Sequence, residues 1–364
     1  MDTLKIGLQV SLAVIKMLVT IDEKYEQSLI QGGLSDEEFD FIIDLFSEME
    51  KGKLFFLCNH SFYKYILNTY SKRISSRVFY LIKRLVNDEF VNISEAKRIK
   101  PLITICDLNT KEVHKDGTYF ISYKSFPKNC TPYLCSENIS DASFYLDIFK
   151  IINTHKSSVI LMKEACGGSD VGSVLESFFT EGRIFLYIGD SDIKYPNADE
   201  GNTAQKVREV FNNNHLKTFS TYYILKVHEK ENLIPLKYYK NLSKNISKVI
   251  DYLLSLNSEQ HIIYFDITDG ISMDDYRGMC NKCDDWKYIY SDVIHFIEQE
   301  KLYNKQKNCK KFFTGVGKKA LATVTNNLEE KELKWLLSTT QKKDLDNISE
   351  LLLKYGYTYS IMTN

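Results

Sequence analysis

Three pairs of acids stand at positions where carboxylates do chemistry. Glu137 and Asp141 follow the apolar run Thr131–Cys135, Asp190 and Asp192 follow Arg183–Ile188, and Glu229 and Glu231 follow Thr221–Val227. If each run is a strand of one parallel sheet, all three pairs emerge at its carboxyl edge, where open α/β sheets bind ligands. Carboxylates gathered there repel one another unless a cation neutralises them. Hard oxygen donors suit Mg²⁺ or Mn²⁺. Two such ions about 4 Å apart can stabilise both the attacking and the leaving oxygen of a phosphodiester.

The elements that must position these acids alternate. Ser158–Met162 reads as a strand between the first and second acid pairs. Helices are expected over Asp141–Thr154, Val171–Phe179 and Thr203–Asn213, the first capped by Asn138 or Ser140. Strand–helix alternation predicts a parallel sheet with helices on both faces. Residues 1–125 read as mostly helical, an accessory or dimerisation domain. Ile6, Val10, Ala13, Val14, Met17 and Leu18 recur at helical spacing. Ser35-Asp-Glu-Glu38 is a capping box, Phe62–Tyr70 and Val78–Val86 continue the pattern, and Ser94–Ile99 opens another helix. Residues 241–364 read as mainly helical with one strand, His261–Phe265. The expected organisation is therefore a helical 1–125, an α/β 126–240 and a mainly helical 241–364.

The acids resemble, in order, the motifs of a TOPRIM domain. Glu137-Asn-Ile-Ser-Asp141 looks like its E-G-x-x-D opening. Gly167-Gly168-Ser169 sits where TOPRIM domains of the overcoming-lysogenization-defect (OLD) nuclease type carry a Gly-Gly turn. Asp190-Ser-Asp192 looks like the D-x-D motif, and Glu229-Lys-Glu-Asn232 resembles the E-x-E-N segment of OLD-like proteins from bacterial anti-phage systems. The resemblance covers residues 128–236. It implies a central TOPRIM-like sheet and metal-dependent cleavage of DNA or RNA, transfer RNA included. Glu137 would act as metal ligand or general base, supported by Asp141. Asp190, Asp192 and Glu231 (less securely Glu229) would hold Mg²⁺ or Mn²⁺. Lys206, with Lys194 as its alternative, would stabilise charge. One departure is Asn138 where the motif has Gly. Glu164 and Asp170 form a second acid pair spaced two residues too far apart, and are assigned to the second strand and its turn.

OLD nucleases pair the TOPRIM domain with an ATPase. No complete Walker motif occurs here: Gly315-Val-Gly-Lys-Lys319 has Phe312 and Lys319 where a phosphate loop needs Gly and Ser or Thr. The resemblance thus implies a separate ATPase partner in an abortive-infection system. The alternative is a degenerate TOPRIM-fold scaffold subunit.

Other features bound the reading. Lys and Arg number 47 against 48 Asp and Glu, for a net charge of −1, which excludes a polybasic phosphate-gripping surface but not a local groove. The apolar run Ile6–Ile21 carries Gln9 and Lys16 and is too short for a membrane span. With eight scattered cysteines and no signal peptide, a reducing cytoplasm is expected. Cys280-Asn-Lys-Cys283 has just His295 and Cys309 nearby to complete a zinc site, and ordinary thiols are the simpler reading. Asp266 and Asp269 either extend the metal site or close a turn. Lys305, Lys307, Lys310, Lys311, Lys318 and Lys319 either track a phosphate backbone or form a solvated face.

Overall fold

A computed structural model describes residues 17–87, 97–109, 112–127, 130–153, 158–214, 219–304, 309–317, 320–328 and 337–358. Its first sheet contains the mostly apolar β1 (Met17–Ile21), β2 (Leu54–Leu57), β3 (Ile103–Cys106) and β5 (Thr118–Ser122) and the short, largely exposed β4 (Val113–Lys115). Their order is β2-β1-β3-β5-β4, parallel except for the β4–β5 hairpin. Around them lie α1 (Glu23–Gly32), α2 (Asp36–Glu50), α3 (His60–Tyr70) and α4 (Ser76–Val86). Ser35 and Glu38 form the expected capping box at the start of α2.

The first segment is therefore α/β, not mostly helical. Met17 and Leu18, expected on a helix, lie in β1, and residues 1–16 are outside the described set. β1, β2 and β3 are buried on both faces, so their sequences are continuous apolar runs. Such runs carry no period of two and cannot be told from buried helix by pattern. Of Ser94–Ile99, residues 94–96 are outside the described set and 97–99 belong to a turn.

The second sheet contains β6 (Pro132–Ser136), β8 (Met162–Ala165), β9 (Ile184–Gly189) and β10 (Thr221–Ile224), with α5 (Ile139–Ile152), α6 (Val171–Thr180) and α7 (Asn202–Asn213) between them. It is wholly parallel, in the order β10-β9-β6-β8. Along β9 the side chains alternate. Ile184, Leu186 and Ile188 join the main core, whereas Phe185 and Tyr187 join a second cluster with Leu175, Phe179, Val207 and Phe211. Both faces are covered, as parallel sheets require. The expected second strand is displaced. Ser158–Val159 is β7, which pairs antiparallel with β13 (Tyr357–Thr358), and the sheet uses Met162–Ala165 instead.

The remaining elements are α8 (Lys244–Ser255), α9 (Glu259–Tyr264), β11 (Gly270–Ser272), α10 (Met273–Arg277), α11 (Asp284–Gln299), β12 (Lys311–Thr314), α12 (Ala320–Thr325) and α13 (Thr339–Gly356). The strand expected at His261–Phe265 is the short helix α9. Apolar residues at 262, 263 and 265 suit either structure, and packing against α8 and α11 decides it. Among the described residues no helix is long and apolar enough to cross a membrane.

Helix α13 packs against β1, β6, β9 and α5, bringing both sheets into one core. Its Asp344 is fully buried. The carboxylate accepts hydrogen bonds from the Tyr223 hydroxyl at 2.7 Å and the backbone N–H groups of Lys226 and Val227 at 2.9 and 3.2 Å. It thereby holds the chain leaving β10. Each buried donor left unsatisfied costs about 1–3 kcal/mol. Asp344→Ala is expected to lower stability to denaturant by about 3 kcal/mol, against a change within about 0.5 kcal/mol for the exposed Asp346→Ala. A loss below about 1 kcal/mol at Asp344 would show that this chain segment is held by other contacts.

Candidate active site

The strand order of the second sheet dictates where a crevice opens. The chain moves from β6 outward to β8, then returns to the other side of β6 as β9. The connections leave the carboxyl ends of β6 and β9 in opposite directions, and the gap between them is the ligand position of open α/β folds. The first acid pair follows β6 and the second follows β9. A cavity of about 690 Å³ lies there, with Glu137, Asp141, Asp190, Asp192, Glu229 and Glu231 all in its wall. The three pairs expected to converge do so.

Each pair is placed by its own device. Glu137 ends β6. Backbone bonds from Cys166 N to Ser136 O (2.9 Å) and from Gly167 N to Glu137 O (3.0 Å) bring the Gly-Gly turn alongside it. A Cβ at Gly168 would lie 2.7 Å from Glu137 Oε1, so glycine there makes room for the carboxylate. Asn138 occupies the N-cap position of α5 without a side-chain capping bond, and its φ of −130° is an ordinary extended conformation that does not call for glycine. Its amide donates to Asp141 Oδ2 at 3.3 Å, so the departure from the E-G-x-x-D pattern supports the second acid.

After β9 the chain is stitched to the segment after β10. The Ser191 hydroxyl donates to Val227 O at 2.7 Å, and Asp192 N donates to His228 O at 3.0 Å. Asp192 takes a left-handed φ of 56°, which Asp tolerates better than most residues. Its carboxylate lies so close to the Gly201 backbone that a Cβ at 201 would overlap it. After β10, a 3-10 turn at Lys230–Leu233 carries Glu231. Asn232 anchors that turn: its amide donates to Ile262 O and Phe265 O, both at 2.9 Å, and accepts from Glu229 N at 3.2 Å.

Lys230 is the residue that the sequence reading missed. Its ammonium lies 3.5 Å from Asp141, 3.7 Å from Asp190 and 3.4 Å from Glu231. Its backbone N–H donates to Asp190 Oδ1 at 2.8 Å. The signal was a lysine inside the E-x-E-N segment, read there as a spacer. Burial works against its charge, yet Asp190, Glu231 and Asp141 hold the ammonium above its ordinary value. Burial pushes the Asp190 carboxyl up to about 7, with Glu231, Asp141 and Asp192 adding to the shift and Lys230 opposing it. Burial likewise pushes Glu229 up to about 8.

The donor set fits a divalent ion. The cavity wall offers eight carboxyl groups and one ammonium. Glu231 is 4% exposed, and its Oε2 has no hydrogen-bond partner. Hard oxygen donors, an unsatisfied buried oxygen and an excess of negative charge match Mg²⁺ or Mn²⁺.

Other candidates fall elsewhere. Lys206 is exposed and donates to Ser169 O at 2.9 Å, so it braces the Gly-Gly turn and does not line the cavity. Lys194 is exposed within electrostatic range of His228 and Asp266. Glu164 lies in β8 as assigned, 3.9 Å from Arg183, and Asp170 precedes α6; neither lines the cavity. Asp269 does line it, ion-paired to Lys311 at 2.6 Å, while Asp266 Oδ1 closes a turn by accepting from Asp269 N. Cys280 and Cys283 are exposed free thiols that join no metal-competent cluster among the described residues. The Gly315–Gly317 loop hugs Ile267 and Thr268 and leads into α12, whose Leu321 and Thr325 help to wall the cavity. Lys305, Lys307, Lys318 and Lys319 are outside the described residues.

No family model matches the chain, and neither curated proteins nor solved structures give a match.

The raised carboxyls have a stability consequence. Asp190 is neutral in both states at low pH. Above its unfolded value near 4 the fold pays to keep the ionised form buried, and the penalty is complete above about 7. In chelator, Asp190→Asn is therefore expected to raise the melting temperature by a few degrees at pH 8 and only about a third as much at pH 5. Mg²⁺ should stabilise the wild type more at pH 8 than at pH 6. Equal effects of the substitution at both pH values would contradict this electrostatic account.

Proposed function

We propose that the chain is a metal-dependent nuclease whose active site is the carboxylate crevice between β6 and β9. The observation that carries this reading is the convergence of Glu137, Asp141, Asp190, Asp192 and Glu231 at the switch point of a parallel sheet. They arrive in the chain order of the TOPRIM motifs they resemble. A carboxylate cavity repels phosphate by itself, so binding of a nucleic acid backbone depends on cations.

Asp190, Asp192 and Glu231 are the residues to hold Mg²⁺ or Mn²⁺, with Glu137 as a further ligand or as general base. Bound there, the ions would supply charge neutralisation at the scissile phosphodiester. Glu137 projects from a strand end with space left by Gly168, placed to take a proton from an attacking water. Asp141, steadied by Asn138, supports it. Lys230 carries a fixed positive charge into the same cavity and can meet a phosphate oxygen. Lys206 acts as a positioning residue through Ser169. In keeping with the OLD resemblance, the proposal includes use as a toxic anti-phage effector held or released by a separate ATPase.

A second reading rests on Lys230. An ammonium already seated among Asp141, Asp190 and Glu231 is what a catalytically degenerate scaffold would retain as a structural ion network.

Cleavage of plasmid DNA and total transfer RNA with Mg²⁺ or Mn²⁺ separates the two. The nuclease reading predicts activity that falls by more than about 100-fold in Asp190→Ala and in Glu137→Ala. Gly168→Ala should also lose activity while remaining folded, because the new methyl displaces the Glu137 carboxylate. Activity surviving Asp190→Ala contradicts the site. Inactivity on every substrate, with and without the co-purified ATPase, favours the scaffold.

A further inference from the structure

Beside the carboxylate crevice lies a cluster of different chemistry. His228, Glu229 and Asp266 each offer a ligand atom, and these atoms lie within 4.8 Å of one another. His228 Nε2 is 3.6 Å from Glu229 Oε1 and 3.7 Å from Asp266 Oδ2. Both distances are beyond hydrogen-bond reach, since a side-chain contact of about 3.6 Å no longer counts as one. His228 is 1% exposed, and neither of its ring nitrogens has a hydrogen-bond partner. A buried imidazole aimed at two carboxylates without bonding either is an unsatisfied arrangement.

An ion resolves it. Donors about 2.1 Å from a tetrahedral metal stand about 3.4 Å from each other, close to the separations seen. One imidazole nitrogen with two carboxylates favours a transition ion over Mg²⁺. Glu229 lines the cavity and gives the ion a way in. The cluster also joins two parts of the chain. His228 lies just after β10, its N–H bonded to Ile263 O at 2.8 Å and its carbonyl bonded to Asp192 N. Asp266 follows α9 and is oriented by its turn with Asp269.

We propose that His228, Glu229 and Asp266 form a separate transition-metal site, selective for an ion such as Zn²⁺, that braces the β10 exit against the segment after α9. The ion is structural: it fixes the backbone on which Asp192 and Glu231 are mounted. The site does not depend on the nuclease reading and would exist in a catalytically dead scaffold.

The test uses the full chain, stripped of metal and loaded with Zn²⁺. Equilibrium dialysis should give one tightly held ion, and X-ray absorption fine structure should show one imidazole nitrogen among oxygen donors. His228→Gln should weaken binding by at least about 100-fold, whereas Asp190→Asn should retain it. A zinc shell lacking imidazole, or sulfur-rich through Cys280 and Cys283, would overturn the proposal. So would a folded His228→Gln that binds as tightly as wild type. If that variant fails to fold, the wild-type absorption spectrum alone decides. Loss of cleavage with this zinc shell intact would count against the nuclease proposal only.

Discussion

The structure turns on the repulsion between carboxylates forced into one crevice. Six acids from three strand exits line it, and the buried Asp141 and Glu231 are the least screened by water. Burial raises the Asp190 and Glu229 carboxyls above their ordinary range, and the neighbouring acids raise them further. Lys230 offsets part of the repulsion from within, at distances that neutralise charge without saturating the oxygens. What remains is a demand for cations, and that demand connects the fold to its proposed chemistry.

Holding like charges together requires a rigid frame, and the rest of the chain supplies it. Asp344, on a helix near the end of the chain, pins the exit of β10. Asn232 ties the turn carrying Glu231 to the segment around α9. Ser191 and Asp192 are bonded to the backbone at Val227 and His228. Residues remote in sequence thus determine where the acids point. The C-terminal segment is a buttress of the site, with α12 and Asp269 contributing to its wall.

The acids were legible in the sequence because strand–helix alternation between residues 131 and 227 is regular, and because carboxylates at strand ends break the apolar pattern visibly. Gly168 was legible as a turn, and its role beside Glu137 emerged with the geometry. Three features were hidden for physical reasons. The first sheet escaped because β1, β2 and β3 are buried on both faces and lack alternation. Lys230 escaped because a lysine among acids usually reads as a solvated surface pair, and no local pattern announces that Asp141 and Asp190 will meet it. His228 escaped because its neighbour Asp266 lies far along the chain, just after a segment read as a strand that folds as helix α9. The departure at Asn138 carries no conformational cost, since its extended φ does not call for glycine.

The central claim is that the crevice between β6 and β9 is a divalent-cation site that Lys230 fills only in part. Crystals grown with Mn²⁺ and measured at its absorption edge test this most directly. The account predicts anomalous density in contact with Asp190 and at least one of Glu137, Asp192 and Glu231, with the Lys230 ammonium displaced from its central position. A crevice free of anomalous density at saturating Mn²⁺, with Lys230 still among Asp141, Asp190 and Glu231, would contradict it.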